Sequence, residues 1–303
     1  MKKRRLGNSD LLVSEIGLGC MSLGTDKKKA SEIVKSALDE GINYFDTADL
    51  YDFGVNEEIV GENLKPFRDQ VYIATKVGNR WTENKDSWSW DPSGDYIKLA
   101  VKDSLRRLGT DYIDLYQLHG GTIEDNLDET IGAFEDLKKE GLIRYYGISS
   151  IRPNVIKEFV KKSELDSVMM QYSLLDRRPE EWMSLLEDKQ ISIIARGPLA
   201  KGLLSEKMLE KATEEGYLDY SYNELKDLLP QLKDKFSGEK MNATALQYVL
   251  SNQCVASAVA GASSVQQLRE NCQAANSSSL SHDELDVLKK LTKASKYTSH
   301  REY

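Results

Sequence analysis

Cysteine is scarce in this chain: three residues, Cys20, Cys254 and Cys272, an odd number with no Cys-x-x-Cys among them. That excludes a disulfide framework and predicts a reduced, cytoplasmic chain. Histidine is equally rare, and His119, His282 and His300 stand too far apart in sequence to read as ligands, so no metal site is expected. Long apolar runs are missing as well. The longest, Cys254 to Ala262, has strand length, well short of the roughly 20 residues a membrane span requires, and no apolar segment follows the N-terminal lysines as a leader would. Positive charge is also limited. A net charge of −8 leaves no broad basic footprint for nucleic acid, and the single basic cluster, Lys2-Lys3-Arg4-Arg5, reads as a solvated strand edge. Finally, no Gly-x-Gly-x-x-Gly follows the first strand, since Gly17-Leu18-Gly19-Cys20-Met21-Ser22 has the wrong spacing, which excludes a Rossmann nucleotide fold.

What is present is a regular alternation. Eight short apolar runs, at 15–20, 43–48, 71–77, 112–119, 144–150, 168–172, 192–196 and 255–260, read as strands buried on both faces. Between them lie amphipathic stretches: 30–40 ending at Gly41, 95–108 ending at Gly109, and 127–140 ending at Gly141. The order strand, helix, glycine, strand is that of parallel βαβ units, and eight of them predict a closed (β/α)₈ TIM barrel formed by residues 1–303 as a single domain. Residues 2–14 read as a β-hairpin around Gly7-Asn8-Ser9-Asp10 that caps the bottom of the barrel. Two long connections stand out, 79–92 with Trp81, Trp88 and Trp90, and 201–240, which is expected to be partly helical. The tryptophans either fill core beneath their loop or wall an apolar substrate pocket.

Working residues of such a barrel sit at the C-terminal ends of strands. Asp46, Lys76 and His119 end three adjacent strands, and Tyr51 lies just past Asp46. An ammonium beside a phenol favours the phenolate, an aspartate keeps that ammonium charged, and an imidazole can orient a substrate oxygen. This set suits proton donation to a carbonyl oxygen as a hydride reaches its carbon. Singly, each residue also has a structural role open to it: a turn cap, a buried ion pair, a packed histidine. A different barrel chemistry, glycoside hydrolysis by paired acids, would draw on Asp46, Asp49, Glu57 and Glu58.

The segment Tyr44-Phe45-Asp46-Thr47-Ala48-Asp49-Leu50-Tyr51, followed by Asn56-Glu57-Glu58-Ile59-Val60-Gly61, resembles the signature of the aldo-keto reductase family. The resemblance extends over nearly the whole chain and is greatest to the bacterial branch that also resembles potassium-channel β subunits. It implies a (β/α)₈ barrel that reduces aldehydes and ketones with NADPH, with a catalytic tetrad of Asp46, Tyr51, Lys76 and His119. It further implies that Ser149 and Gln171 hold the nicotinamide amide and that Gly197, Pro198, Leu199 and Gly202 run along the pyrophosphate. By the same resemblance, Gly19, Met21 and Asp46 would also contact the cofactor. The resemblance likewise makes Gly261 the opening of the adenine-ribose segment, in which Ser263 and Gln267 would face the 2′-phosphate and Glu270 and Asn271 the adenine. Two positions depart from the family: Ser150 replaces an asparagine, and Arg196 stands where an aromatic residue usually packs on the nicotinamide. Cys20 reads as a small core residue. The channel-subunit likeness also admits a second reading, an NADPH-loaded sensing module with little turnover. The physiological substrate and oligomeric state have no sequence signal.

Overall fold

The chain opens with the expected hairpin, β1 (Lys3–Arg5) paired antiparallel with β2 (Leu12–Ser14). In this computed structural model, which describes residues 1–236 and 240–301, eight parallel strands then close into a barrel. The first three are β3 (Ile16–Gly19), β4 (Tyr44–Asp46) and β5 (Tyr72–Val77). A second hairpin, β6 (Asn79–Trp81) with β7 (Trp88–Trp90), is inserted after β5. The barrel continues with β8 (Ile113–Leu118), β9 (Ile143–Ser149), β10 (Ser167–Gln171), β11 (Ser192–Arg196) and β12 (Val255–Gly261), which returns to pair with β3. Each barrel strand falls on a predicted run. The pairing of β6 with β7 was not legible, because three-residue strands carry no measurable alternation.

Six helices connect successive strands up to β11: α1 (Lys27–Asp39), α2 (Val55–Leu64), α3 (Gly94–Leu108), α4 (Leu127–Lys139), α5 (Pro153–Lys162) and α6 (Met183–Asp188). Helix α1 starts three residues before the apolar periodicity does. The Asp26 side chain accepts from the Lys29 N–H, and the Lys27-Lys28-Lys29 turn it caps has no buried side chain to reveal it. The long 201–240 connection is partly helical, with α7 (Met208–Lys211) and α8 (Tyr222–Lys235), and α9 (Met241–Leu250) follows it. Helices α10 (Val265–Ala275) and α11 (His282–Leu291) complete the chain. Among the described residues no helix is long and apolar enough to cross a membrane.

The hairpin plugs the bottom of the barrel. Leu6, Leu11 and Val13 are fully buried in one cluster with Tyr44, Ala74, Leu115, Met169 and Ile194 from five barrel strands. Gly7 turns there with φ +54°, its N–H donating to Ser192 Oγ at 2.8 Å, and a Cβ at this position would run into the Asp166 carbonyl. Arg4 departs from the solvated edge expected of it. Its guanidinium donates to the carbonyls of Leu250, Asn252 and Val255 and pairs with Glu15 at 2.8 Å, tying β1 to the end of α9 and the start of β12. Free carbonyls at a helix C-terminus are the natural partners of a cation.

Candidate active site

Side chains alternate across a strand, so the plug cluster fixes which positions face the barrel interior. Tyr44, Ala74, Leu115, Met169 and Ile194 point inward. Two residues further on, at the C-terminal mouth, the same phase carries Asp46, Lys76, Gln117, Gln171 and Arg196, and one more step along β8 reaches His119. Ser149 follows in phase from Tyr145, which also packs on this cluster. The strand period therefore delivers a ring of polar groups to one end of an otherwise apolar tube.

Lys76 is fully buried, and its ammonium has three oxygen partners: Asp46 Oδ2 at 2.8 Å, the Thr47 carbonyl at 2.6 Å and the Tyr51 hydroxyl at 3.4 Å. Burial alone works against the ammonium, but the Asp46 carboxylate and Tyr51 outweigh it and hold Lys76 above its usual range. Burial pushes the Asp46 carboxyl up, opposed by Lys76 and by the Gln117 amide, whose Nε2 lies 3.5 Å from Asp46 Oδ1. Tyr51 reaches the mouth from the loop after β4. Its placement uses left-handed backbone at Asp52 (φ 49°), Phe53 (φ 50°) and Gly54 (φ 88°), a strained run that non-glycine residues rarely adopt. The Tyr51 and His119 rings meet edge to face with centroids 6.0 Å apart. Burial, reinforced by the charges of Lys76 and Arg196, pushes the His119 imidazole down to about 3. The ring is therefore neutral, with one N–H and one lone pair, and its Nδ1 is buried without a partner among the described residues. The four residues expected to converge do so.

The acids after β4 do not form a hydrolytic pair. Glu57 is buried against Arg107 at 2.7 Å and accepts from the Thr75 hydroxyl at 2.6 Å. Asp49 is buried, and desolvation followed by the Glu57 charge pushes its carboxyl well up. Glu58 is exposed. Cys20 is core, its thiol pushed up by burial and then by Asp46. No cluster of three or more His, Cys, Asp or Glu side chains suited to a metal occurs among the described residues.

The tryptophans separate. The Trp90 ring lies over Gly78 and Gly120, the latter next to His119 in sequence, with its indole N–H donating to Asp125 at 3.0 Å, and it packs against the main core cluster. Trp81 packs edge-on against Phe53, with the Arg107 guanidinium 5.1 Å from its ring. Trp88 is 55% exposed.

The remaining sequence-predicted residues lie at or just after the C-terminal ends of β9, β10, β11, β12 and β3. Ser149 is buried at the end of β9. Gln171 donates to the Tyr217 hydroxyl at 2.9 Å and accepts from Arg196 Nη1 at 3.3 Å. Gly197, Ala200, Lys201 and Gly202 all have positive φ, a backbone that turns repeatedly beside the mouth, with Pro198 buried and Leu199 half-buried between them. Gly261 ends β12 against Ser22, where a Cβ would come within 3.0 Å of the hydroxyl, and the same hydroxyl lies 3.0 Å from the Gly19 carbonyl. Met21 beside it is 65% exposed. The α10 N-terminus follows, capped by Ser264, with Ser263 N–H donating to Gln267 Oε1 at 2.9 Å and Asn271 Nδ2 near the Gly261 carbonyl at 3.4 Å. Glu270 accepts from Gln266 at 2.9 Å, and Arg269 pairs with Glu40 at 3.7 Å. A polar mouth, a run of glycine turns and a helix N-terminus in sequence along one rim fit an elongated, anionic dinucleotide.

Two contributors escaped the sequence reading, Gln117 on Asp46 and Tyr217 on Gln171. Gln117 carried a signal, being two residues before His119 on the same strand. Tyr217 lies in the long 201–240 connection and had none.

A family model described as "Aldo/keto reductase family" matches residues 15–293. The chain is 59% identical over 305 residues to the uncharacterized oxidoreductase YqkF of Bacillus subtilis, covering 99% of this chain and 100% of that one. It is 32% identical over 308 residues to an NADH-specific methylglyoxal reductase of Escherichia coli, covering 91% and 94%. Among solved structures, the holo form of aldo-keto reductase AKR11C1 from Bacillus halodurans superposes with a TM-score of 0.96 at 57% identity over 100% of both chains. The chain therefore belongs to the aldo/keto reductase family, oxidoreductases that act on carbonyl compounds with a nicotinamide cofactor.

Proposed function

We propose that this enzyme, a single barrel domain working in the cytoplasm, reduces small aldehydes and ketones to alcohols with NADPH, and that Tyr51 is the general acid. The observation that carries the reading is the continuous contact from the Tyr51 hydroxyl through the Lys76 ammonium to the Asp46 carboxylate at the barrel mouth. The bound cofactor supplies the hydride. The Tyr51 hydroxyl gives its proton to the carbonyl oxygen, and Lys76, anchored by Asp46 and the Thr47 carbonyl, stabilises the oxygen left behind. His119, neutral and beside Tyr51, offers an N–H to the same carbonyl oxygen and orients it. Trp90 keeps that side of the mouth apolar.

For the cofactor, Ser149 and Gln171 are the amide-binding groups, with Gly19, Met21 and Asp46 near the ring. Gly197, Pro198, Leu199 and Gly202 offer their backbone to the pyrophosphate. Gly261, Ser263 and Gln267 receive the ribose phosphate at the α10 N-terminus, whose N–H groups favour an anion, and Glu270 and Asn271 take the adenine. One relative is named for NADH, so the two cofactors are tested side by side. Purified enzyme is given a panel of aldehydes and ketones with NADPH or NADH, and oxidation is followed by nicotinamide absorbance. Faster NADPH oxidation with aldehydes is expected. Bound NADPH that no carbonyl in the panel oxidises would overturn the activity, and turnover confined to NADH would overturn the cofactor preference.

A further inference from the structure

Two buried cations near the barrel mouth have carboxylate partners. Lys76 has Asp46, and Arg107 has Glu57. His119 is neutral, and the buried Asp49 carboxyl is held towards its protonated form. Arg196 has no carboxylate partner among the described residues. It lies at the C-terminal end of β11, two residues past Ile194, so its side chain shares the inward phase of the plug cluster. Its guanidinium has one hydrogen-bond partner among the described residues, the uncharged Gln171 amide oxygen at 3.3 Å. It ends β11 in register with Gln171, as Asp46 ends β4 in the same inward phase, so it shares the mouth with the proton-donating group.

A nicotinamide that delivers hydride to a carbonyl held by Tyr51 must lie in this mouth. Its ring is neutral when reduced and carries a positive charge when oxidised. A fixed cation without a counter-charge discriminates between those two states, because like charges a few ångströms apart repel in a partly desolvated site. We infer that Arg196 biases the cofactor site towards the reduced dinucleotide, weakening retention of the oxidised form. The inference rests on the reading given under Proposed function. Its consequence is directional: the product cofactor is expelled after each reduction, and alcohol oxidation is disfavoured at the binding step.

The test is binding, not turnover. Dissociation constants for NADPH and NADP⁺ are measured by titration calorimetry or protein fluorescence for the natural enzyme, Arg196→Met, Arg196→Gln and Arg196→Lys. Methionine keeps an apolar stem, glutamine keeps a donor for Gln171, and lysine keeps the charge. Both neutral variants are expected to tighten NADP⁺ by about tenfold while moving NADPH by less than about twofold. For a two-electron couple, tenfold in that ratio lowers the potential of the bound cofactor by about 30 mV. The lysine variant should retain the natural ratio. Equal changes for both cofactors, or an unchanged ratio in the neutral variants, would overturn the inference and assign Arg196 a packing role. Failure of the natural enzyme to bind either dinucleotide would remove the underlying reading together with this one.

Discussion

The Lys76 ammonium stands 2.8 Å from Asp46 Oδ2, with 1% of the lysine side chain and 6% of the aspartate exposed. Few ion pairs are buried this completely, and desolvation makes such a pair a poor source of stability compared with an apolar substitute. Its persistence at the barrel mouth agrees with a chemical use for the ammonium.

Removing one partner leaves the other charge buried and unpaired. Asp46→Asn is expected to destabilise the fold by about 3–5 kcal/mol, measured by urea unfolding, and to abolish most turnover. Combining it with Lys76→Met should recover part of the stability and none of the activity. Recovery of activity in the double variant would contradict a chemical role for Lys76.

Tyr51→Phe deletes only a hydroxyl whose bond to Lys76 is long, 3.4 Å. Stability should change by less than about 1 kcal/mol and cofactor affinity should be preserved. Turnover should fall about 10²- to 10⁴-fold, read from nicotinamide absorbance under saturating substrate. A variant within threefold of the natural enzyme would rule Tyr51 out as the proton donor.

His119 is pushed from about 6.5 to about 3 by burial and by the charges of Lys76 and Arg196. The folded state then binds fewer protons than the unfolded chain at every pH between those values. The resulting stability is present above about 6.5 and is lost as pH falls towards 3, with a slope of up to about 1.4 kcal/mol per pH unit. His119→Gln should flatten the acid limb of a stability-versus-pH curve. Side-chain NMR should show no His119 titration between pH 5 and 8, and a midpoint inside that range would contradict a neutral imidazole.

Asp166, under the barrel, shifts the other way. Burial raises its carboxyl to about 7, with Lys138 opposing and Glu135 and Glu164 reinforcing, and Oδ2 has no partner among the described residues. The folded state therefore holds a proton that the unfolded chain releases near 4, and stability declines as pH rises through 7. Asp166→Asn should stabilise the enzyme by about 1–3 kcal/mol at pH 8 and leave it nearly unchanged at pH 4. Equal effects at the two pH values would show that ionisation is not the cause.

The sequence by itself determined the order of elements. Strands buried on both faces must be continuous apolar runs, and helices between them show one apolar stripe, ended by a glycine after α3 and α4, so the positions of the eight barrel strands and the ends of those two helices were local properties. The same locality made Asp46, Lys76 and His119 visible as polar residues at strand ends. Tertiary structure decided everything that depends on which strands become neighbours. The plug formed by Leu6, Leu11 and Val13 sets the inward phase, and barrel closure carries Arg196 into a mouth shared with residues more than 70 positions earlier in the chain. The left-handed run at Asp52 to Gly54 that aims Tyr51, the tying of Arg4 to the end of α9, the pairing of Glu57 with Arg107 and the neutral state of His119 have the same origin. Burial and charge at a side chain are sums over distant segments, and no window of sequence contains them.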